Sequence, residues 1–452
     1  MPDSQPLPTS PRAWHVRVLQ LAWPIILSNL SIPLVGMVDI AVVGQLSDAR
    51  FMAAVSVGTI IFSSVFWIFG FLRMGTTGFV SQAFGRSDEH AVSLALLRAL
   101  GVALLLGFLL VLLQYPVGWL AFKLMDAGVA VTETAERYFS IRIWSAPATF
   151  INYCVLGTLI GMQRMKLALL TQLILNGANM LLDSYFVLLA GRDADGVALA
   201  SMLSDYLAAG FGLWLLRNLL TPLFSAPLKT LQQLRHPDAI RALFSVNVNL
   251  FVRTLFLTSA FFFFTSQSAQ FGTVVLAANA ILMNMLQMLA YGLDGFAHAA
   301  EALVGGAYGK GDRKAFRAAV RSSMLWAGVA AFLIALLYAL FGGLIIRLLT
   351  GITPVIETAE SYLPWLVVAP LIAVWSYQFD GIFIGTTQTA IMRNTVGFSL
   401  LIYVVLALFT MPWWGNHALW ASLLSFLLLR GIALGFYYPR LLASIKPAVS
   451  SI

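Results

Sequence analysis

Long apolar stretches separated by short polar segments recur along the chain. Stretches of about 20 residues, long enough to cross the hydrocarbon core of a bilayer as helices, occur twelve times. We therefore predict an all-α integral membrane protein with twelve transmembrane helices. The approximate spans are 18–44, 51–78, 91–114, 136–160, 166–189, 196–217, 240–266, 275–303, 318–341, 360–385, 394–412 and 417–439.

The same pattern occurs twice, because the second half of the chain repeats the first at a constant interval. The segment VTETAERYF at 131–139 returns as VIETAESYL at 355–363, and FGRSD at 84–88 returns as YGKGD at 308–312. Each copy has six spans, an even number, so both copies insert in the same orientation. The duplication predicts two parallel six-helix bundles related by pseudo-two-fold symmetry along the membrane normal, a construction typical of secondary transporters.

The repeat also predicts the domain boundaries. We expect an N-lobe at 14–217 and a C-lobe at 240–440, joined by a polar linker at 218–239. Polar tails at 1–13 and 441–452 flank the two lobes. The tails and the linker are expected on the cytoplasmic side.

Composition and charge agree with this arrangement. A chain of 452 residues that is 60% hydrophobic and 10% charged cannot bury its apolar side chains in one soluble core. With both termini inside, 17 of the 27 Lys and Arg residues lie in cytoplasmic segments and 5 in outside loops, as the positive-inside rule requires. The net charge of +8 is explained by this topology and by anionic lipids, without a nucleic-acid partner. The N-terminus lacks the order of a cleavable signal, which fits a bacterial inner membrane.

Acidic residues within the predicted spans are candidates for function, because they are costly in a bilayer unless they face protein or water. Asp39 and Asp183 occur only in the first half, since the equivalent positions of the second half hold Phe263 and Ala407. Asn179 lies one helical turn before Asp183 and on the same face of the fifth span.

Asp39 and Asp183 lie at similar depths in the outer half of the membrane and could share one cavity. Two carboxyls in a poorly solvated cavity cannot both ionise cheaply, so the pair would carry a proton and titrate as one unit. The alternative is that they only hydrogen-bond neighbouring helices. For Asn176 and Ser201, such a packing role is as good an interpretation as a functional one.

The second half carries a different charged group. Arg253 lies deep in the seventh span, where an acidic neighbour would neutralise it. The group is therefore as typical of structural ion pairing as of a second site. Arg142 and Arg430, nearer to the span ends, are expected to extend to the interface. The possible second-lobe site comprises Arg253, Asp294, Glu301 and Asp380.

Two prolines, Pro24 and Pro33, lie in the first predicted span. Each removes a backbone hydrogen bond and weakens the helix one turn back. A hinge there that moves Asp39 is one hypothesis. Proline kinks without a function are equally common in membrane helices.

Motifs near the ends of several spans carry a family resemblance. They are PxxGxVDxxxVGxL from Pro33 to Leu46, VSQAFGRSD from Val80 to Asp88, and EALVGGAYGKGD from Glu301 to Asp312. Together they resemble the multidrug and toxic compound extrusion (MATE) transporters, and DGIFIGTTQTAIMRNT, from Asp380 to Thr395, resembles the DinF-like branch. The resemblance implies two bundles that face a central cavity and open alternately to the two sides.

The resemblance also implies an antiporter that exports amphipathic and cationic organic compounds. Its proton or cation site would correspond to Asp39, Tyr138, Asn179, Asp183 and Ser201. Asp380 matches one acid of the sodium site in NorM-like members, but the seventh span offers Arg253 in place of the other, so protons are the preferred coupling ion and sodium the alternative. We expect a monomer in contact with membrane lipids, with small amphipathic substrates, no cofactor, no metal site and no enzymatic activity.

Other classes remain as alternatives. A major-facilitator protein also has parallel six-span halves, but its expected loop signature between the second and third spans is missing. A lipid-linked substrate flippase of the same superfamily would have a more basic cavity than five scattered intraspan arginines suggest. An intramembrane enzyme would need a metal site or a nucleophile with a base at the membrane surface, and only Asp193 and Asp195 come near that requirement.

Overall fold

The computed structural model describes residues 8–46, 48–125 and 128–445, without the side chain of Ile40. Residues 1–7 and 446–452, which belong to the predicted tails, lie outside the described part. The described residues form helices and no β-strand, and twelve helical segments are long and apolar enough to cross a membrane. The predicted all-α fold with twelve spans is confirmed. Spans 1 to 12 are Pro11–Val43, Ala49–Gly85, Glu89–Leu112, Val129–Gly161, Met165–Leu189, Ala194–Leu215, Pro237–Gln270, Thr273–Lys310, Arg313–Leu349, Thr353–Gly385, Thr389–Trp414 and Asn416–Ala443.

Three first-half spans depart from regular α-helix geometry. Span 2 is divided into the helices Ala49–Ile68 and Phe71–Gly85. Span 4 contains the 3₁₀ turn Ile143–Ser145, and span 5 ends in the π-helical turn Tyr185–Leu189. Span 1, by contrast, is one helix through Pro24 and Pro33. The hinge hypothesis for these prolines stays a prediction.

Short helices connect some of the spans. Gln114–Met125 follows span 3, and the segment after span 6 forms Arg217–Ser225 and Pro227–Leu234. The Arg98 guanidinium in span 3 donates to the backbone oxygen of Gln233 at 2.7 Å. The region predicted as a linker is therefore largely helical and is anchored to span 3.

The chain forms two compact units. The first-half unit comprises Leu27–Ala83 and Asp88–Leu243. In the described part of the chain, the second-half unit comprises residues 8–26, Phe84–Ser87 and residues 244–445. Span 1 contributes residues to both units, with the division shortly after Pro24.

Each unit contains the same close helix packing. In the first-half unit, a Cβ built on Gly157 would lie 2.5 Å from the backbone oxygen of Arg73. In the second-half unit, a Cβ on Gly381 would collide with the backbone oxygen of Ala297. The two glycines are equivalent positions of the repeat, and so are the two carbonyls. The sequence repeat is therefore also a repeat of packing, between spans 2 and 4 and between spans 8 and 10.

Candidate functional site

Span 5 turns a polar stripe toward the interior of the first-half unit. Asn176, Asn179 and Asp183 are buried, whereas Leu173 and Leu181 on the other side of the helix are exposed. The spacing of three and four residues places the polar side chains on one face. The predicted stripe therefore points into protein, where polar side chains find partners.

Hydrogen bonds from this stripe reach two other spans. The Asn176 Nδ2 donates to the Ser31 Oγ in span 1 at 2.6 Å. The Asn179 Nδ2 donates to the Ser201 Oγ in span 6 at 3.1 Å. Amides and hydroxyls within membrane bundles commonly hold helices together in this way. Spans 1, 5 and 6 are thus tied side by side around Asp183.

The carboxyl groups of Asp39 and Asp183 lie within hydrogen-bonding reach of each other. Asp183 is fully buried. Both of its oxygens, and Oδ1 of Asp39, are buried without a hydrogen-bond donor among residues 8–46, 48–125 and 128–445. A hydrogen bond between two carboxyls requires a proton on one of them. The arrangement therefore has a place for one shared proton.

Tyr138 lies beside this pair without bonding to it. Its ring packs on Gly58 of span 2, where any side chain would collide with it. Its hydroxyl is in hydrogen-bonding reach of Thr59 and Arg142, and the phenol interacts electrostatically with both carboxyls. The structure thus brings Asp39, Tyr138, Asn179, Asp183 and Ser201 into one region, but neither Tyr138 nor Asn179 donates to Asp183.

An ion pair that the sequence did not predict lies next to this region. The Arg142 Nη1 in span 4 is 2.6 Å from the Asp205 Oδ2 in span 6, and the two side chains are 16% and 6% exposed. The guanidinium also lies near the Phe62 and Phe66 rings. The prediction that Arg142 extends to the interface is wrong, because a buried acid and two aromatic rings hold it inside the unit.

One signal in the sequence could have revealed this pair. The positions equivalent to Arg142 and Asp205 in the second half hold Leu366 and Leu429. The pair therefore breaks the repeat in the same way as Asp39 and Asp183. Closeness to a span end is equally typical of an arginine that extends to the interface, so the position of Arg142 in its span does not by itself predict the pair.

The second-half charged group is built around Asp380. Arg253 and Arg430 both donate to its Oδ2, the latter at 2.6 Å. Arg430 is only 4% exposed, so the prediction that it extends to the interface is also wrong. Asp294 interacts electrostatically with Tyr377, as do the two arginines and Asp380.

Glu301 occupies a different part of the second-half unit. It is buried in span 8, and its backbone oxygen contacts Gly385 in span 10. The structure thus brings three of the four predicted second-lobe residues around Tyr377 and Asp380. Glu301 belongs to the helix contact near the span end.

Known proteins share both the sequence pattern and the fold of this chain. The model of one family, MatE, matches residues 24–185 and 250–409, once in each half of the chain. The chain belongs to the MatE family. It is 37% identical over 429 residues to DNA damage-inducible protein F of Escherichia coli (strain K12), covering 94% of this chain and 91% of that protein. The DinF-like resemblance of the motifs is thereby confirmed.

More distant relatives agree with this membership. The chain is 28% identical over 345 residues to the probable multidrug resistance protein NorM of Xanthomonas campestris pv. campestris, covering 73% of this chain and 71% of that one. Solved structures share the fold: a MOP superfamily transporter from Pyrococcus furiosus Vc1 has a TM-score of 0.84 at 18% identity, with 98% of each chain covered. A multidrug resistance MATE transporter in an outward-facing conformation has a TM-score of 0.84 at 19% identity, with 97% and 98% covered. The protein is a multi-pass membrane transporter of the MatE family.

Proposed function

We propose that this MatE family member is a proton-coupled antiporter that exports amphipathic and cationic organic compounds by alternating access. The observation that carries the proposal is the contact between the Asp39 and Asp183 carboxyls, which have no other donor for their buried oxygens within the described residues. Two ionised carboxylates in such contact repel each other. One proton between them removes the repulsion and supplies the missing hydrogen bond.

Binding or release of this proton changes the net charge between spans 1 and 5, and so changes which arrangement of the two helices is favoured. With the proton, spans 1 and 5 are joined by a carboxyl–carboxyl hydrogen bond. Without it, the same two spans carry like charges in contact. A conformer that separates the two carboxyls is therefore favoured when the proton leaves. The size of this population shift is limited by the difference in proton affinity between the two conformers.

The surrounding residues have distinct roles in this proposal. Asp39 is the principal exchanging carboxylate, because it is only half-buried, and Asp183 is its fully buried partner. The Asn179–Ser201 bond fixes span 5 against span 6. Tyr138 closes the region toward span 2.

The second-half group supports protons over sodium as the coupling ion. A sodium ion at Asp380 would have to displace two guanidinium groups that already bind the same carboxylate oxygen. The positive charge that a sodium ion would bring is thus already supplied by fixed side chains. This leaves the first-half carboxyl pair as the exchangeable site.

Location and substrate class follow from the relatives and the charge distribution. The name of the Xanthomonas relative refers to multidrug resistance, which supports organic compounds as substrates. The bacterial relatives support an inner-membrane location. The positive-inside distribution supports cytoplasmic termini, and the protein is proposed to work as a monomer.

The first test is transport in proteoliposomes. Efflux of a fluorescent cationic dye is driven by a proton gradient or, separately, by a sodium gradient, with wild type beside Asp39→Asn. A matched control is Glu360→Gln, which makes the same acid-to-amide change at a surface ion pair with Arg347. We expect proton-driven efflux in wild type and Glu360→Gln, and its loss in Asp39→Asn with the protein still folded.

Two results would overturn the proposal. Proton-driven efflux that persists in Asp39→Asn would remove the carboxyl pair from the coupling mechanism. Sodium-driven efflux by wild type, with no response to the proton gradient, would replace the coupling ion.

A further inference from the structure

Two short helices after span 6, here called the connection helices, pack against span 3. Their bounds are Arg217–Ser225 and Pro227–Leu234. The Thr230 hydroxyl donates to the Pro222 backbone oxygen at 2.8 Å and joins the second helix to the first. The Arg98 guanidinium of span 3 donates to the Gln233 backbone oxygen at 2.7 Å. The two helices are therefore fixed to each other and to span 3.

These contacts also determine how deep the connection helices lie. The His90 Nε2, one residue after the start of span 3 at Glu89, is 3.0 Å from the Gln233 Oε1. Arg98, which bonds to the same residue, lies about 14 Å along the helix axis from Glu89. Trp214, exposed at the end of span 6, belongs to a residue type enriched at membrane interfaces. The connection helices therefore lie at the depth of amphipathic helices in the boundary between headgroups and acyl chains.

The helix Pro227–Leu234 has three distinct faces. Thr230 is buried against protein. Leu228 and Leu231 are exposed, the former at 78%. Lys229 is exposed on the remaining side, about 160° around the helix axis from Leu231. This division is typical of a helix at a membrane surface, where protein, acyl chains and water each meet a different face.

The helix Arg217–Ser225 has the same three faces. Leu219 is buried, and Leu223 and Phe224 are exposed, the latter at 83%. Asn218 is exposed on the polar side, about 120° around the helix axis from Phe224. Large apolar side chains that are exposed side by side on two consecutive helices indicate an interaction surface.

The charges of the connection match an anionic lipid surface. Residues 217–241 contain a single acid, Asp238, and four Lys and Arg residues, Arg217, Lys229, Arg235 and Arg241. All five side chains are exposed. Within the part of the chain that the structure describes, none of the four cations forms an ion pair with a carboxylate. Basic residues next to a membrane helix attract anionic lipids of the cytoplasmic leaflet.

We propose that the connection helices are a docking surface for anionic phospholipids of the cytoplasmic leaflet. Their apolar edge enters the boundary of the acyl chains and comprises Leu223, Phe224, Leu228 and Leu231. The exposed Lys229 and Arg235 bind the phosphate groups above it. The segment between the two halves of the chain is thereby attached to one leaflet. This inference goes beyond the proposed function and requires only that the connection is cytoplasmic, which the positive-inside distribution supports.

The first test measures the depth of the apolar edge. Phe224→Cys and Asn218→Cys are each labelled with an environment-sensitive fluorophore and placed in vesicles of phosphatidylcholine and phosphatidylglycerol; the buried Cys154 is not labelled. The label at position 224 should be quenched by doxyl groups on the acyl chains and not by iodide in the water. The label at position 218, on the polar side of the same helix, should show the reverse. Leu228→Cys is the second variant if Phe224→Cys does not fold.

The second test measures the preference for anionic headgroups. In the Phe224→Cys protein, quenching by doxyl-labelled phosphatidylglycerol is compared with quenching by doxyl-labelled phosphatidylcholine at the same mole fraction. We expect the anionic lipid to quench at least about twofold more strongly, because nearby Lys and Arg residues attract it. Lys229→Gln combined with Arg235→Gln should lower this ratio toward equality. The matched control, Lys123→Gln combined with Arg137→Gln, removes two exposed cations outside the connection and should leave the ratio unchanged.

Three outcomes would overturn the inference. Quenching of the label at position 224 by iodide and not by the acyl chains would place the apolar edge in water. Protection from both quenchers would show that protein, such as a second copy of the chain, covers it. Equal quenching by the two lipids before any charge is removed would show insertion without selection of the headgroup. None of these measurements depends on transport, so a failure of the proposed proton coupling would leave their results unchanged.

Discussion

Asp380 and Asp183 are both buried acids, and their surroundings offer opposite charges. Asp380 receives two guanidinium groups on one oxygen, whereas Asp183 meets the carboxyl of Asp39. Removing one partner of a buried ion pair leaves an uncompensated charge. Replacing Asp39 by asparagine removes the like-charge repulsion and places an amide donor beside the remaining carboxyl of Asp183. The same substitution should therefore have opposite effects at the two places.

Asp380→Asn should destabilise the protein, because Arg253 and Arg430 would lose their shared counter-charge. We expect a loss of about 3–5 kcal/mol in the free energy of unfolding, seen as a lower midpoint of thermal unfolding in detergent. Asp39→Asn is the comparison and should leave the midpoint unchanged or raise it. Equal midpoints for wild type and Asp380→Asn would show that the arginines find other partners.

At the scale of helices, the interruptions of spans 4 and 5 lie next to site residues. The 3₁₀ turn Ile143–Ser145 begins directly after Arg142, and the π-helical turn Tyr185–Leu189 begins shortly after Asp183. Such departures from α-helix geometry often mark functional positions. Here they change the hydrogen-bonding pattern of the backbone just beyond the charged groups.

Particular residues show what the sequence could and could not predict at this scale. The number of spans was predictable, because the length of an apolar stretch is a direct requirement of the bilayer. The π-helical turn after Asp183 was not predictable, because a change from α- to π-type hydrogen bonding leaves no signal in the amino-acid composition of the segment. The broken repeat marks Arg142 and Asp205 as positions special to the first half, but their contact with each other was not predictable, because it depends on how spans 4 and 6 are rotated toward each other.

Close packing between spans 2 and 4 gives a test at the same scale. Gly157→Ala would place a Cβ 2.5 Å from the Arg73 backbone oxygen, so the helices must separate and the thermal midpoint should fall. Gly328→Ala in span 9 is the matched control, because no atom lies within 4 Å of the added Cβ. There, the better helix propensity of alanine should leave stability unchanged or raise it by up to about 1 kcal/mol. A similar midpoint for both variants would contradict the packing.

At the scale of the whole chain, one architecture occurs twice with different charges. The MatE family match to each half and the repeated packing of Gly157 and Gly381 show that the scaffold was duplicated. The ionisable residues of the two buried charged groups were not, although others, such as Glu133 and Glu357, occur in both halves. The repeat in the sequence was sufficient to predict this scaffold, and the broken positions within it pointed to Asp39 and Asp183.

Topology can be tested on the nearly intact protein, because the only cysteine, Cys154, is buried. Wild type should not react with a membrane-impermeant maleimide from either side. Gln232→Cys, exposed in the connection after span 6, should react only from the cytoplasmic side. Thr353→Cys, exposed at the start of span 10, should react only from the outside. Labelling of both positions from the same side would refute the predicted orientation.

The backbone conformation of the turns after spans 2, 4, 8 and 10 shows which features of the fold existed before the chain was duplicated. In the described residues, left-handed backbone at positions other than glycine occurs at Ser87, Gln163 and Thr387. Gln163 and Thr387 are equivalent positions of the repeat, and the counterpart of Ser87 is the left-handed Gly311. Each non-glycine residue in this conformation costs about 1–2 kcal/mol, and both copies have kept the geometry. The ancestral half therefore already had these turns before the duplication. The two halves then acquired different buried charged side chains while their turn geometry stayed the same.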